Sequence, residues 1–149
     1  MSAVSPPPAW PYDPKDRVVL GWKGLVVGIL VSHMTFCALF VPMMFGATSK
    51  SVPLVIFYCA MYFLFGAIPI WAVGAPIGAL LGKALRTVRN QWVHVAAFVV
   101  AGTAAGALVG ALFSTLPIIG FSVCTAVAAG IGRLSIWKLV RTNDEPSLS

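Results

Sequence analysis

Residues 90–132 read NQWVHVAAFVVAGTAAGALVGALFSTLPIIGFSVCTAVAAGIG, and these 43 positions hold no Asp, Glu, Lys or Arg. At about 1.5 Å per residue, one helix of that length would measure ~65 Å, roughly twice the hydrocarbon thickness of a bilayer. The run must therefore fold back on itself. Ser114-Thr115-Leu116-Pro117 supplies the break, because proline pushes the residue before it out of helical backbone. Two more uncharged runs precede it, Gly24 to Ser49 with 26 residues and Ser51 to Gly82 with 32. A spanning helix needs about 20 apolar residues, so each of these holds one span. The sequence thus predicts an all-α, integral membrane four-helix bundle, with spans at about 24–45, 54–81, 92–113 and 117–137.

Composition agrees with that division. Of 149 residues, 59% are hydrophobic and 9% charged, against about 25% charged in an ordinary soluble domain. A secretory signal peptide fits the first run poorly, since a long polar lead precedes it and no small-x-small cleavage site follows. The net charge of +6 raises the question of nucleic acid, and the placement of the charges answers it. All four acidic residues lie in the tails: Asp13, Asp16, Asp144 and Glu145. Nine of the ten basic residues fall in the N-terminal segment (Lys15, Arg17, Lys23), the loop between spans two and three (Lys83, Arg86, Arg89) and the C-terminal end (Arg133, Lys138, Arg141). The two remaining loops hold only Lys50. With four spans those three basic segments share one side, and the positive-inside bias makes it the cytoplasm. Trp22, Trp92 and Trp137 sit at the same predicted boundary, where an amphipathic ring prefers to lie. The expected location is the plasma (inner) membrane, multi-pass with both termini cytoplasmic. The lipid bilayer, not nucleic acid, is the expected partner of the basic charge.

Outside the spans, residues 1–13 form a Pro-rich cytoplasmic arm. Pro8, Pro11 and Pro14 recur every third residue, which suits either a polyproline II docking peptide or a flexible lead. Asp13-Pro14-Lys15-Asp16 resembles a helix start, with Asp13 as cap, so the first helix is expected to begin before Trp22. The transmembrane domain covers 14–141, and 142–149 form a short cytoplasmic tail. Span two is overlong for a bilayer and carries Pro69 and Pro76, each of which removes a backbone donor and clashes with the preceding turn. Those residues predict either a tilted, kinked helix or a discontinuous one lining a binding site.

Glycine recurs every four residues in spans two and three: Gly74, Gly78 and Gly82, then Gly102, Gly106 and Gly110. Residues four apart share one helix face, so each series makes a stripe with almost no side chain. In lipid, burying leucine between helices gains little, and close backbone approach drives association instead. These six glycines are the predicted helix-packing positions, within one chain or between chains. Weaker stripes follow Gly24, Gly28 and Ser32 in span one and Ser122, Ala126 and Gly130 in span four. Residues 74–82 and 102–110 match at five of nine positions, weak support for an internal duplication.

Candidate chemistry is sparse. No carboxylate lies inside a span, which counts against proton pumping. His33 and His94 do not suit a shared haem, because the first falls near the predicted midplane and the second near the surface. His33, Cys37, Cys59 and Cys124 are the candidate ligands for a soft metal such as copper(I) or zinc, Cys37 lying one turn beyond His33. The competing reading treats the cysteines as small apolar filling. Tyr58, Tyr62, Phe57, Phe63 and Phe65 give span two an aromatic outer half suited to packing and anchoring. No Ser-His-Asp set, phosphate-cradling loop or HExxH occurs, and no cofactor is implied. The expectation is therefore a protein without enzymatic activity, serving as an accessory or structural subunit of a membrane assembly or as a self-associating bundle. Its partners would be other membrane protein subunits or further copies of itself. A small oligomeric transporter or channel and a holin-like permeabilising protein are the alternatives.

The orientation is directly measurable. In a cysteine-free background, a membrane-impermeant maleimide added to intact cells is expected to label Ser49→Cys and spare Thr87→Cys. The reverse pattern would invert the topology.

Overall fold

A computed structural model describes residues 15–45, 51–112 and 117–142. The Pro-rich arm, Lys50, the Ser114–Leu116 break and the tail beyond Thr142 lie outside the described residues. Strand β1 (Val18–Val19) leads into α1 (Trp22–Phe45), followed by α2 (Val52–Pro69), a π-helical segment (Ile70–Gly74) and α3 (Ala75–Ala84). Then come α4 (Gln91–Leu112), α5 (Ile118–Ser135) and strand β2 (Arg141–Thr142). Helices α1, α4 and α5 are each long and apolar enough to cross a membrane, and α2 with α3 makes a fourth such unit, bent by 44° at its break.

Asp13 and Pro14 of the expected helix start lie outside the described residues, and its remaining two residues are not helical. Lys15 lies in a turn, residues 16–17 are irregular, Val18–Val19 form a strand, and α1 begins only at Trp22. Tertiary pairing outcompetes the local cap. Val18 pairs antiparallel with Thr142 and Val19 with Arg141, so Thr142 belongs to a strand and not to a loose tail. The Arg17 and Val18 amides both donate to the Arg86 carbonyl, at 2.8 and 2.9 Å. Asp16, the last residue of that expected helix start, faces Arg86 at 3.3 Å. Val18, Ile136 and Val140 are buried together beneath this clasp, with Leu20 packed against them. The clasp thus joins the N-terminal segment, the α3–α4 loop and the C-terminal end at one end of the bundle.

Between the clasp and the far end, α5 packs against both α4 and α1, the two most extensive helix contacts among the described elements. Its face toward α4 meets the glycine stripe of that helix. A Cβ placed on Gly102 would lie 2.8 Å from the Thr125 carbonyl oxygen and 2.9 Å from Ala129 Cβ. One on Gly106 would run into Thr125 Oγ1 and Ser122, and one on Gly110 would touch Ile118 Cα at 3.0 Å. Hydroxyls on this face are satisfied locally: Ser122 donates to the Ile118 carbonyl at 2.7 Å and Thr125 to that of Phe121 at 3.0 Å. Bonding back to the helix's own carbonyls lets polar residues line an apolar contact without stranded donors.

The face of α5 toward α1 is also small, through Gly120, Cys124, Ala128 and Gly132 at a spacing of four. A Cβ on Gly132 would collide with Ser32 and with the Gly28 carbonyl, and one on Gly120 would meet the Met43 sulfur at 2.7 Å. The weak stripe of span one therefore lies against Gly132, a position outside the stripes read from the sequence.

Glycines of the second span behave differently. A Cβ on Gly78 would approach Leu25 Cδ1 at 3.2 Å, one on Gly82 would approach Leu20 at 3.1 Å, and one on Gly74 would meet only Ile70 of its own segment. They receive leucine side chains, not a neighbouring backbone. The α1–α2 contact is aromatic: Phe40 is buried and meets Tyr62 edge-on at 5.5 Å between ring centroids, while Phe36 and Phe40 both meet Phe121 of α5 edge-on at 5.2 Å. Helix α3 touches both α1 and α4, whereas α2 packs mainly on α1. The bundle is closed near the clasp and open beyond the bend.

These contacts separate the glycines by their expected tolerance. Gly106→Leu and Gly132→Leu place side chains against backbone and should lower stability by about 1–3 kcal/mol, the usual range for overpacking. Gly74→Ala should be neutral or stabilising, because its φ of −67° and ψ of −37° already suit alanine and alanine favours helix by about 1 kcal/mol. Thermal unfolding in mild detergent reads all three. Equal effects would contradict the packing described.

Candidate functional site

The break in span two is the strongest irregularity in the helices, and its cause lies in the sequence. Pro69 has no amide hydrogen for the Phe65 carbonyl, and Pro76 has none for the turn before it. The Ile70 amide turns back to the Ala67 and Gly66 carbonyls, and Ile70–Gly74 widen into a π turn before the α-helix resumes at Ala75. π turns inside helices occur mostly as single-turn bulges and often at functional sites. Here the prolines expected as kink residues occupy the end of α2 and the second position of α3, on either side of the π segment.

His33 of α1 faces this region. Its ring stacks on Phe63 of α2, with centroids 4.4 Å apart and planes 11° from parallel. A Cβ on Gly66 would lie 3.3 Å from its Nε2, so the bare glycine gives the imidazole its place. His33 is only 1% exposed, and neither ring nitrogen has a hydrogen-bond partner among the described residues. The Tyr62 backbone is near enough to interact with the ring but forms no bond of acceptable geometry. Leaving a buried polar group unpaired costs about 1–3 kcal/mol. An ionisable side chain in that position inside an apolar helix is a functional candidate by default.

A second polar cluster lies near the clasp. Arg133 is 3% exposed, donates through Nη2 to Gln91 Oε1, and leaves Nη1 without a partner. The Arg133 charge near the end of α5 suits the negative end of that helix dipole. His94, also buried, bonds through Nε2 to the Val88 carbonyl at 2.9 Å; with the proton on Nε2 it is the donor. Trp92 and Trp137 meet edge-on at 5.3 Å. Arg133 ties α5 to the first turn of α4 through its bond to Gln91.

The proposed metal ligands are only partly brought together. His33 and Cys37 share the buried side of α1, and Cys59 of α2 lies close enough to Cys37 to interact with it. Cys124 faces α1 as well, but its nearest recorded partner is the Met43 thioether at 3.9 Å. Among the described residues, no group of three or more His, Cys, Asp or Glu side chains could hold a metal ion. Asp16 is the single carboxylate in those segments. His33 and His94 belong to separate clusters on α1 and α4, which gives a haem no pair of axial ligands.

Comparison with protein-family models, with curated proteins and with solved structures finds no match.

The state of His33 can be tested by shape. Phenylalanine preserves the stack on Phe63 and removes both unpaired nitrogens, so His33→Phe is expected to raise the stability of the purified protein by about 1–3 kcal/mol. A fall in thermal stability would mean that the nitrogens have a partner in the working protein.

Proposed function

We propose that the chain is a multi-pass membrane protein of four spans, with both termini in the cytoplasm, acting as a non-catalytic accessory or structural subunit. The observation that carries this reading is the bend at Ile70–Gly74. Before it, α2 packs mainly on α1, with Tyr62 and Phe63 on the α1 side. Phe57, Leu64, Phe65 and Ile68 are all exposed there. A helix held on one side only, with large apolar and aromatic side chains on the other, offers a face for a second membrane protein or another copy of the chain. Closure of α3 against α1 and α4 keeps the bundle intact while that face stays open.

The glycine stripes support the same assignment from the opposite direction. Those of α4 and α5 are occupied within the chain, which leaves the aromatic face, not a glycine zipper, as the surface for association. The sequence charge bias of nine basic residues to one supports the orientation. The plasma membrane is part of the proposal on the same ground.

One observation favours a second reading. A buried, unpartnered histidine beside a broken helix is the arrangement expected of a small oligomeric transporter, with its path along the Pro69–Pro76 region. Solute flux in liposomes that disappears on changes around Trp71 would select it.

For the favoured reading, a photocrosslinking phenylalanine analogue at Phe65 is expected to yield adducts with another membrane polypeptide or a second copy. The same analogue at Ile119, an exposed position on α5, should yield few. Adducts to lipid alone at both positions would contradict it.

A further inference from the structure

Between the start of α1 and the end of α3, at the clasp end, a cleft of about 250 Å³ opens to the outside. Its wall is apolar, built from Leu20, Leu25 and Ala79, and its rim carries Lys83 and Arg86. We propose that this cleft seats the phosphate headgroup of an anionic phospholipid, with the start of an acyl chain along the wall. The inference rests on the membrane reading above and adds to it a particular ligand and place.

Charge is the first support. Lys83 is exposed and makes no ion pair among the described residues. Arg86 has one contact with Asp16 at 3.3 Å through Nη1, and a guanidinium with five N–H donors retains others for an oxyanion. Two cations against one carboxylate leave the rim positive. Lys23 adds to that potential, its Nζ standing 6.0 Å from the centre of the Trp22 ring at the cleft.

Shape is the second. Gly82 lines the cleft, and a Cβ there would already press on Leu20 at 3.1 Å; the missing side chain keeps the space open. Trp22, 72% exposed, presents an amphipathic ring of the kind that settles at headgroup level. Inorganic phosphate would match the rim but leave the leucine wall unused. An acidic peptide would do the same. A molecule with an anionic head and an apolar tail uses both.

Native mass spectrometry of the full chain, purified in mild detergent and titrated with phosphatidylglycerol or phosphatidylcholine, tests this. One phosphatidylglycerol per chain is expected to be retained, with phosphatidylcholine lost. Lys83→Gln should weaken retention about fivefold, the effect of losing one interfacial cation. Gly82→Leu should weaken it with every charge in place, and Lys138→Gln, exposed at the same end but outside the cleft, should leave it unchanged. If Gly82→Leu fails to fold, the Lys83 and Lys138 pair still decides. Equal retention of both lipids, an equal loss in Lys138→Gln, or displacement of the lipid by inorganic phosphate or a polyglutamate peptide would overturn the proposal. A chain recovered from the soluble fraction would refute the membrane reading itself; a membrane-bound chain with no headgroup preference would refute only this site.

Discussion

A buried peptide group must find its partner inside the chain, and the described helices between Trp22 and Ser135 answer to that constraint. Helices satisfy it segment by segment, which is why long uncharged runs become α1, α2–α3, α4 and α5. Once the backbone is paired internally, the remaining question is how these apolar helices hold together. The answer is proximity. Glycine, serine and alanine let α4 and α5 approach until a single added carbon would touch backbone, and dispersion between closely spaced atoms then does what burial of leucine cannot.

That logic makes α5 the centre of the fold. A helix with two close neighbours needs two narrow faces, and α5 has them: Ser122, Thr125 and Ala129 toward α4, then Gly120, Cys124, Ala128 and Gly132 toward α1. The contact between α1 and α2 is built the other way, from Phe40, Tyr62, Phe63 and His33. Aromatic rings hold helices farther apart than glycines do, and the prolines of span two add a bend to the separation. The result is a bundle closed by α3 at the clasp end and open along α2 at the other. The open aromatic face suits association, and the cleft beside α3 suits a lipid headgroup.

Much of this was legible in the sequence, because charge and helical periodicity are local signals. Long apolar helices form along the uncharged runs, and Pro69 and Pro76 flank the break. The Gly102, Gly106 and Gly110 series marked a close contact, and its partner on α5 was half read through Ser122 and Ala126. The second small face of α5 was equally visible as Gly120, Cys124, Ala128 and Gly132. Spacing does not show what each stripe meets: Gly78 and Gly82 follow the same period, yet they receive the Leu25 and Leu20 side chains where Gly102 and Gly106 receive backbone. The clasp was not legible at all. Two-residue strands have no periodicity, and the pairing of Val18–Val19 with Arg141–Thr142 joins residues from opposite ends of the chain. The environment of His33 was hidden for the same reason, since Phe63 and Gly66 reach it only through packing.

The central claim is that these neutral runs are helices embedded in lipid. Extraction of a total membrane fraction with alkaline carbonate tests it most directly, because high pH strips proteins held by charge and leaves those held by spanning helices. The account predicts that the full chain stays in the pellet and is released only by detergent. Its appearance in the carbonate supernatant would contradict the account.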